Sequence, residues 1–222
     1  MSRRLAVLRP EPGNAATASR AEAAGFAVLR LPLFAVVPLA WTPPDARDHD
    51  ALVLTSANAV RHAGAELDRF TALPVIAVGE QTAAATRAAG LAVAAVGTSD
   101  AVALSALLAE RGITRALHLG GRDHAAVAGV TRAVAVYANE PIAVEPADLA
   151  GITGQVALLH SSRAAQHLAA LLDAAAISRA DVTLAAFSAA IAAAAGTGWR
   201  AVAVAAVPSD AALFAAIAAL GR

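Results

Sequence analysis

The sequence predicts an α/β fold with two similar doubly wound parallel-sheet domains joined by a two-stranded connector. One unit recurs, in which a short apolar run ends in a small polar turn and continues with helical spacing. It is clearest at residues 51–67 (ALVLTSANAVRHAGAEL) and 155–172 (QVALLHSSRAAQHLAALL). This pattern is typical of a buried strand, a tight turn and a helix, and its repetition predicts parallel strands with helices between them.

The second observation is that the units match in pairs. Ser56 corresponds to Ser161, Gly79 to Ser188 and Asp100 to Asp210. The offset is roughly 105 to 110 positions, far longer than the periods of solenoid repeats. The sequence therefore indicates two copies of one α/β unit, and we expect their strand-to-helix turns to surround a shared cleft.

The elements follow in order along the chain. Residues 5–8 predict a strand, Asn14 or Thr17 is expected to cap a helix that ends before Gly25, and residues 27–34 predict a second strand. The middle of the chain predicts strands near residues 52–55, 75–78, 93–96, 116–119 and 133–137. The second copy of the unit then fills residues 155–220.

Proline-containing segments predict the domain boundaries. Residues 37–50 and 138–143 are expected to be linkers, and residues 51–137 an inserted α/β domain. Residues 1–36 and 144–222 then form one discontinuous α/β domain. Ligands commonly bind between domains arranged in this way, so the shared cleft is the expected site.

Composition excludes several classes of function. The 222 residues contain 17 Lys+Arg and 17 Asp+Glu, so no overall charge favours nucleic acid or a membrane surface as a partner. There is no Cys, the six His lack metal-ligand spacing, and no export signal or membrane span is recognisable. We therefore expect a soluble cytoplasmic protein without a metal site, and we also expect a monomer. The preference for Arg over Lys fits carboxylate binding, but coding bias would also explain it.

Neutral hydrogen-bonding side chains recur at the strand-to-helix turns. The turn residues are Thr55, Ser56, Asn58, Gln81, Thr82, Thr98, Ser99, Ser161, Ser162, Ser188 and Ser209, and the arginines at or close to strand ends are Arg9, Arg61, Arg122 and Arg163. Helix starts present N–H groups that suit anions, so the pattern fits a ligand with many carboxylates. Ordinary helix caps are the alternative explanation at each single position.

The only tyrosine, Tyr137, ends the apolar run of residues 133–136, where the chain enters the second linker. A phenol there would serve as a weak acid. A packing aromatic is the alternative.

In order and spacing, the chain resembles the uroporphyrinogen-III synthase family. The matching segments are LRPEPGNAATASRAEAAGFAVLRLPLF, LVLTSANAV, PVIAVGEQTAAATRAAGLAV, the Val-Tyr of AVAVYANEP, LLHSSRAAQHL and LAAFSAAIAAAAGTGWRAVAVAAVPSDAALFAAI. The resemblance implies two α/β domains with the active site between them. It also implies cofactor-free conversion of hydroxymethylbilane, a linear tetrapyrrole with eight carboxylates, to uroporphyrinogen III. In this reaction the terminal hydroxyl leaves as water and the last pyrrole ring is inverted.

The resemblance also implies roles for individual residues. Tyr137 matches the family's connector tyrosine, a proposed acid, and Ser56, Ser161 and the Gly79-to-Thr82 turn match positions that hold substrate carboxylates through main-chain N–H groups. The full set of expected substrate-binding residues is Arg9, Thr55, Ser56, Ala57, Asn58, Gly79, Gln81, Thr82, Ser99, Gly121, Arg122, Ser161, Ser162, Arg163 and Ser188.

Apart from a short linker after Tyr137, the chain departs from the family pattern at two places. Residues 123–132 leave room for only one or two helical turns where the family usually has a full helix, and Ser188 is followed by Ala-Ala-Ile in place of glycine and hydroxyl residues. These departures motivate the alternative function, a non-catalytic two-domain binder of an anionic small molecule such as a tetrapyrrole.

Overall fold

The computed structural model of the protein describes residues 4–98 and 101–220. The strands are β1 (Arg4–Val7), β2 (Ala27–Arg30), β3 (Phe34–Pro38), β4 (Ala51–Leu54), β5 (Val75–Val78), β6 (Val93–Gly97), β7 (Ala116–Gly121), β8 (Val130–Pro141), β9 (Val156–Leu159), β10 (Thr183–Ala186) and β11 (Ala201–Val204). The α-helices are α1 (Gly13–Ala23), α2 (Ala57–His62), α3 (Glu80–Ala88), α4 (Ala101–Glu110), α5 (Pro146–Ala150), α6 (Ser162–Ala174), α7 (Ala189–Ala194) and α8 (Asp210–Ala219). No described helix combines the length and hydropathy that crossing a membrane requires.

The chain forms two compact units. Unit 1 takes the residues up to Ala35 and those from Glu140 onward, and unit 2 is Val36–Asn139. Each unit contains one sheet with apolar residues on both of its faces, as expected for strands covered by helices on either side. The predicted fold class is confirmed.

Unit 1 has a five-stranded parallel sheet in the order β11-β10-β9-β1-β2. One face of this sheet packs on α6 and α7, through buried residues such as Leu168 and Ala195. The other face packs on α1 and α8, through Ala18, Leu213 and Ile217. Successive side chains of β1 point to opposite faces of the sheet, so both faces of this strand are buried.

Unit 2 has a six-stranded sheet in the order β3-β8-β7-β4-β5-β6. The pairs β8-β7, β7-β4, β4-β5 and β5-β6 are parallel. One face of the sheet packs on α2 and Phe70, and the other packs on Leu104 and Leu108 of α4 together with Val127. Unit 2 therefore repeats the strand order of unit 1 over its five strands from β8 to β6, with β3 added at the edge.

Strands β3 and β8 form the two-stranded connector. The N–H of Ile142 donates to the carbonyl of Leu33 at 3.1 Å, and the N–H of Leu39 donates to the carbonyl of Val136 at 3.0 Å. Residue numbers rise along one strand as they fall along the other, so the pair is antiparallel. The strands include the first residues of both predicted linkers.

One local prediction was confirmed in part and another was wrong. The predicted strand of residues 27–34 lies at the edge of its sheet and holds up to Arg30, and its far end leaves the sheet before Pro32, which has no N–H to donate to a ladder. Neither Asn14 nor Thr17 caps α1, whose N-cap residue is Pro12 without a side-chain cap. The amide of Asn14 donates instead to the carbonyls of Val7 and Arg9, at 2.7 and 3.0 Å. Gly25 follows α1 with φ of 85°, as predicted.

Candidate active site

Both sheets contain a topological switch point. In unit 1, β1 and β9 are neighbours in the centre of the sheet. The chain passes from β1 to β2 on one side of this pair and from β9 to β10 on the other side. In unit 2 it continues from β4 to β5 on one side and from β7 to β8 on the other. Ligands of open parallel sheets bind outside the carboxyl ends of the strands at such a point. The carboxyl ends of β1 with β9, and of β4 with β7, are therefore the places where a ligand is expected.

A pocket of about 230 Å³ lies at the switch point of unit 2. Its lining belongs entirely to unit 2 and comprises Thr55, Val78, Thr98, Ala101, Leu104, His118, Gly121, Asp123, His124, Ala125, Val127 and Tyr137. Thr55 directly follows β4, and Gly121 ends β7. The pocket combines an apolar side from α4 with hydroxyl, imidazole and carboxylate groups, which suits a flat organic ligand that carries polar substituents.

Tyr137 borders this pocket with its ring against Gly121. Only 8% of the surface of Tyr137 is exposed to solvent. A Cβ at position 121 would lie 2.9 Å from Cζ of Tyr137 and 3.1 Å from its hydroxyl oxygen, so only glycine leaves space for the ring in this position. The Tyr137 carbonyl accepts from the N–H of Arg122 at 2.9 Å, whereas the described residues offer its hydroxyl no hydrogen bond. The phenol is thus held in place and remains able to donate to a ligand.

His118 forms the second polar group of the pocket. Its Nε2 shares a hydrogen bond of 2.9 Å with Oγ1 of Thr55. Burial lowers the pKa of His118 to about 4, and the nearby His124 acts in the same direction. A buried imidazole is costly to charge, so His118 is neutral at neutral pH. A Cβ at Gly120 would lie 2.7 Å from its Nε2, so this glycine leaves room for the His118 ring.

His124 lies beside this pair on the segment that follows β7. Its ring meets the ring of His118 edge-on, with centroids 5.3 Å apart. Its Nδ1 donates to the carbonyl of Gly121 at 2.9 Å, which leaves Nε2 as the ring nitrogen that a ligand would meet. Neither His118 nor His124 was predicted to be a site residue, because the spacing of the histidines in the sequence indicates no site.

Ser56, Ser161, Ser188 and Ser209 are all helix N-caps, as the sequence predicted for the first two. Their hydroxyl oxygens accept from main-chain N–H groups at 3.1 to 3.3 Å. Each cap uses one N–H of the first helical turn, and the hydroxyl proton stays available to an acceptor. The caps explain why serine stands at these positions, and a substrate contact there would be a second role.

The other predicted substrate-binding residues are distributed over both units. Thr55, Gly121 and Tyr137 meet in the unit 2 pocket. Thr82 is buried inside α3, where its main-chain carbonyl accepts from Thr86, so its side chain is not open to a ligand. Gly79, with φ of 76°, precedes α3.

The remaining predicted positions are near helix starts or in exposed segments. Asn58 accepts from the Arg61 guanidinium at 3.0 Å, and the guanidinium of Arg163 lies 5.0 Å above the ring of Phe34. Ala57 begins α2, Ser162 begins α6, and Gln81 and Arg122 are exposed. Ser99 is outside the described residues.

At the switch point of unit 1, Asp210 is the centre of a buried polar network. Its carboxylate accepts from Thr17 at 3.0 Å, Arg20 Nε at 2.7 Å and His160 Nε2 at 3.3 Å. Burial alone would raise the pKa of Asp210, but the hydrogen bonds from His160, Arg20 and Thr17 hold it well below its usual range. Burial lowers the pKa of His160, against the opposing effect of Asp210. At neutral pH, Asp210 is therefore ionised and His160 is neutral.

In residues 4–98 and 101–220, no group of three or more His, Asp or Glu side chains is arranged to hold a metal ion.

Comparison with known proteins identifies the family of the chain. The family profile described as "Uroporphyrinogen-III synthase HemD" matches residues 15–215. The chain belongs to the uroporphyrinogen-III synthase family. Enzymes of this family act in tetrapyrrole and haem biosynthesis, in agreement with the resemblance found in the sequence. No curated protein sequence gives a significant match.

Solved structures of uroporphyrinogen III synthase from the extremely thermophilic bacterium Thermus thermophilus resemble this chain over its full length. A mutant form matches with 18% sequence identity and a TM-score of 0.53, over 99% of both chains. The wild-type form in another crystal form matches with 19% identity and a TM-score of 0.42, over 100% of both chains. The first of these matches shows that the chain has the fold of this family.

Proposed function

We propose that this protein is a hydro-lyase that cyclises hydroxymethylbilane to uroporphyrinogen III without a metal or organic cofactor. Membership of the family supports the reaction class. The observation that carries the proposal within the molecule is the Tyr137 hydroxyl, which borders the unit 2 pocket and is not engaged by the described residues.

The proposed chemistry begins with Tyr137 as the acid. Its phenol donates a proton to the terminal hydroxyl of the substrate, which leaves as water, and the pyrrole nitrogen stabilises the resulting cation. The last pyrrole ring then attacks the cationic carbon through its substituted α-carbon, giving a spirocyclic intermediate. The bond from that α-carbon to the neighbouring methylene bridge breaks, the bridge joins the free α-carbon of the same ring, and loss of the proton there completes the macrocycle with the ring inverted. One water is lost in total, and the tyrosinate recovers a proton from this step or from solvent.

Orientation of the substrate provides most of the catalysis in this proposal. The leaving group is reactive, so the protein must mainly decide which carbon of the last ring attacks. Contacts to the substrate carboxylates from strand-end turns would hold the folded chain. Ser56, Gly79, Ser161 and Ser188 stand at such turns, next to first-turn N–H groups. We also propose that the protein acts in the cytoplasm as a monomer.

The test is the isomer of the product. Purified protein is supplied with hydroxymethylbilane generated enzymatically, and the oxidised porphyrin products are separated by isomer. We expect the type III isomer to predominate, because cyclisation without the enzyme gives the type I isomer. Type I product alone would contradict the proposed activity. Binding of a tetrapyrrole without turnover would instead favour the non-catalytic binder, which neither the structure nor the comparisons favour.

A further inference from the structure

Arg9 stands at the switch point of unit 1, two positions after the end of β1. It is half-buried, and its NH1 group donates to Oγ1 of Thr17 at 3.4 Å, a long contact to a neutral oxygen. Among the described residues, it has no ion pair with a carboxylate. Arginines that do have one include Arg20, Arg30, Arg47, Arg69, Arg87, Arg115, Arg179 and Arg200.

The carboxylate nearest to Arg9 is already occupied. Asp210 accepts from Thr17, Arg20 and His160, and it acts on Arg9 as a nearby charge. The oxygen of Thr17 joins the two residues: it donates to Asp210 and accepts from Arg9. Arg9 is thus fixed by a hydroxyl, while the charge of its guanidinium is left without a directly bound anion.

Gly13 leaves the space that the guanidinium fills. A Cβ at position 13 would lie 2.5 Å from Nε of Arg9 and 2.8 Å from its Cζ. The first turn of α1 therefore approaches the Arg9 side chain as closely as only glycine permits. Burial lowers the pKa of Arg9, partly offset by Asp210, but a guanidinium stays charged at any physiological pH. A half-buried cation at the carboxyl end of a parallel sheet is suited to an anionic ligand.

We propose that Arg9 binds a carboxylate of the substrate and that Asp210 positions Arg9 through Thr17. Asp210 and Thr17 are positioning residues in this arrangement, and Arg9 is the residue that touches the ligand. The inference rests on the proposed function for the identity of the substrate. It adds a fixed cationic contact in unit 1 to the main-chain N–H contacts expected from the turns.

The first experiment measures binding without turnover. The probe is uroporphyrin I, a porphyrin with eight carboxylates, titrated against the full-length protein by fluorescence. Arg9→Gln should weaken binding roughly 10- to 100-fold, the usual range for one charge-assisted hydrogen bond. The matched control is Arg200→Gln, because Arg200 pairs with Asp181 and precedes β11, at the amino ends of the strands. It should bind like the wild type.

The second experiment tests the positioning role through kinetics with hydroxymethylbilane. Thr17→Val keeps the shape of the side chain but removes the hydroxyl, and Thr17→Ser keeps the hydroxyl. Thr17→Val and Asp210→Asn should raise KM several-fold with little change in kcat, and Thr17→Ser should restore the wild-type KM. A purely structural role would lower the melting temperature of Thr17→Val without this selective change in KM.

The outcomes separate this inference from the proposed function. The Arg9 inference is overturned if the wild type makes the type III isomer and Arg9→Gln has the melting temperature, the KM and the probe affinity of the wild type. If the wild type makes no type III isomer while Arg9→Gln still loses probe binding, the function fails and the anion site remains. Equal KM values for Thr17→Val and Thr17→Ser would remove the positioning role of Thr17 and Asp210.

Discussion

The two units have the same inner strand order but differ at their switch points. The pairing of Val7 with Leu158 in unit 1 corresponds to that of His118 with Val53 in unit 2, because Leu158 and Val53 hold the same place in β9 and β4. Two residues after Val7 and His118, Arg9 therefore corresponds to Gly120. The position that carries a guanidinium in unit 1 is therefore a glycine in unit 2.

The segment that follows the inner strand explains much of the remaining difference. In unit 1, β1 leads into α1, which supplies Asn14 and Thr17 to the polar network. In unit 2, β7 leads into residues 122–129, which contain no helix and line the pocket with Asp123, His124 and Val127. In this protein, the switch point followed by a helix holds a network of the protein's own side chains, and the one without a helix holds an open pocket.

The largest expected effect concerns the protonation of His118. Its pKa is lowered to about 4 from an ordinary 6.5, chiefly by burial. Below pH 6.5 the unfolded chain binds a proton that the folded chain does not, so stability falls as pH falls towards 4. The loss is roughly 3 kcal/mol in the free energy of unfolding.

Urea denaturation between pH 7 and pH 4 measures this effect, with His118→Gln as the comparison. The free energy of unfolding of the His118→Gln variant should depend less on pH than that of the wild type. His160→Gln should flatten the profile less, because Asp210 offsets part of the effect of burial on the pKa of His160. Identical slopes for the wild type and His118→Gln would contradict the assignment.

Tyr137→Phe tests the unit 2 pocket as the place of the chemical step. Without the phenol proton, kcat should fall roughly 10- to 100-fold, a partial loss because the leaving group is reactive. KM should change little, since the ring still fills its position beside Gly121. Initial rates of type III product formation measure the effect, and a wild-type kcat would remove Tyr137 from the mechanism.

Gly121→Ala disturbs the same phenol by crowding. The new methyl group would lie 2.9 Å from Cζ of Tyr137, so the ring must move, and we expect kcat to fall about tenfold. Gly151→Ala is the control in unit 1, where the new Cβ would lie 3.0 Å from the carbonyl of Asp148. It should lower the melting temperature but leave kcat unchanged. Equal effects of the two variants on kcat would refute the specific role of Gly121.

The smallest expected effect is on the helix caps that both units share. Ser161→Ala removes the hydrogen bond to the N–H of Ala164, and Ser56→Ala removes the one to Asn58. Each variant should lose about 1 kcal/mol of unfolding free energy. Chemical denaturation measures this, and Ser161→Asn, which keeps a capping oxygen, should retain most of the stability. An unchanged Ser161→Ala would mean that the cap contributes nothing.

Regular features of the fold were predictable because they depend on local patterns. The apolar runs at β4 and β9, each followed by a serine cap, were visible in the sequence, and so was the glycine after α1. The cap of α1 was not predictable, since the Oδ1 of Asn14 accepts from Nε of Arg30 at 2.9 Å and its amide N–H groups donate to the carbonyls of Val7 and Arg9. A tertiary contact there overrode a local preference.

The candidate site was only partly predictable for a similar reason. Tyr137, Thr55 and Gly121 were selected from their strand ends, and they line one pocket. His118 was not selected as a site residue, and Asp210 was noted only as a repeated position. Their importance depends on contacts over long separations in sequence, such as Thr17 with Asp210 and Thr55 with His118. No local spacing encodes such pairs.

Arg9 in unit 1 is proposed to bind the substrate, and Tyr137 in unit 2 to transfer the proton. The double variant Arg9→Gln/Tyr137→Phe tests this division of roles when its kcat and KM are measured beside those of both single variants. We expect the double variant to have the kcat of Tyr137→Phe and the KM of Arg9→Gln, so that the losses in kcat/KM multiply. A double variant no worse than one of the single variants would contradict this division of roles.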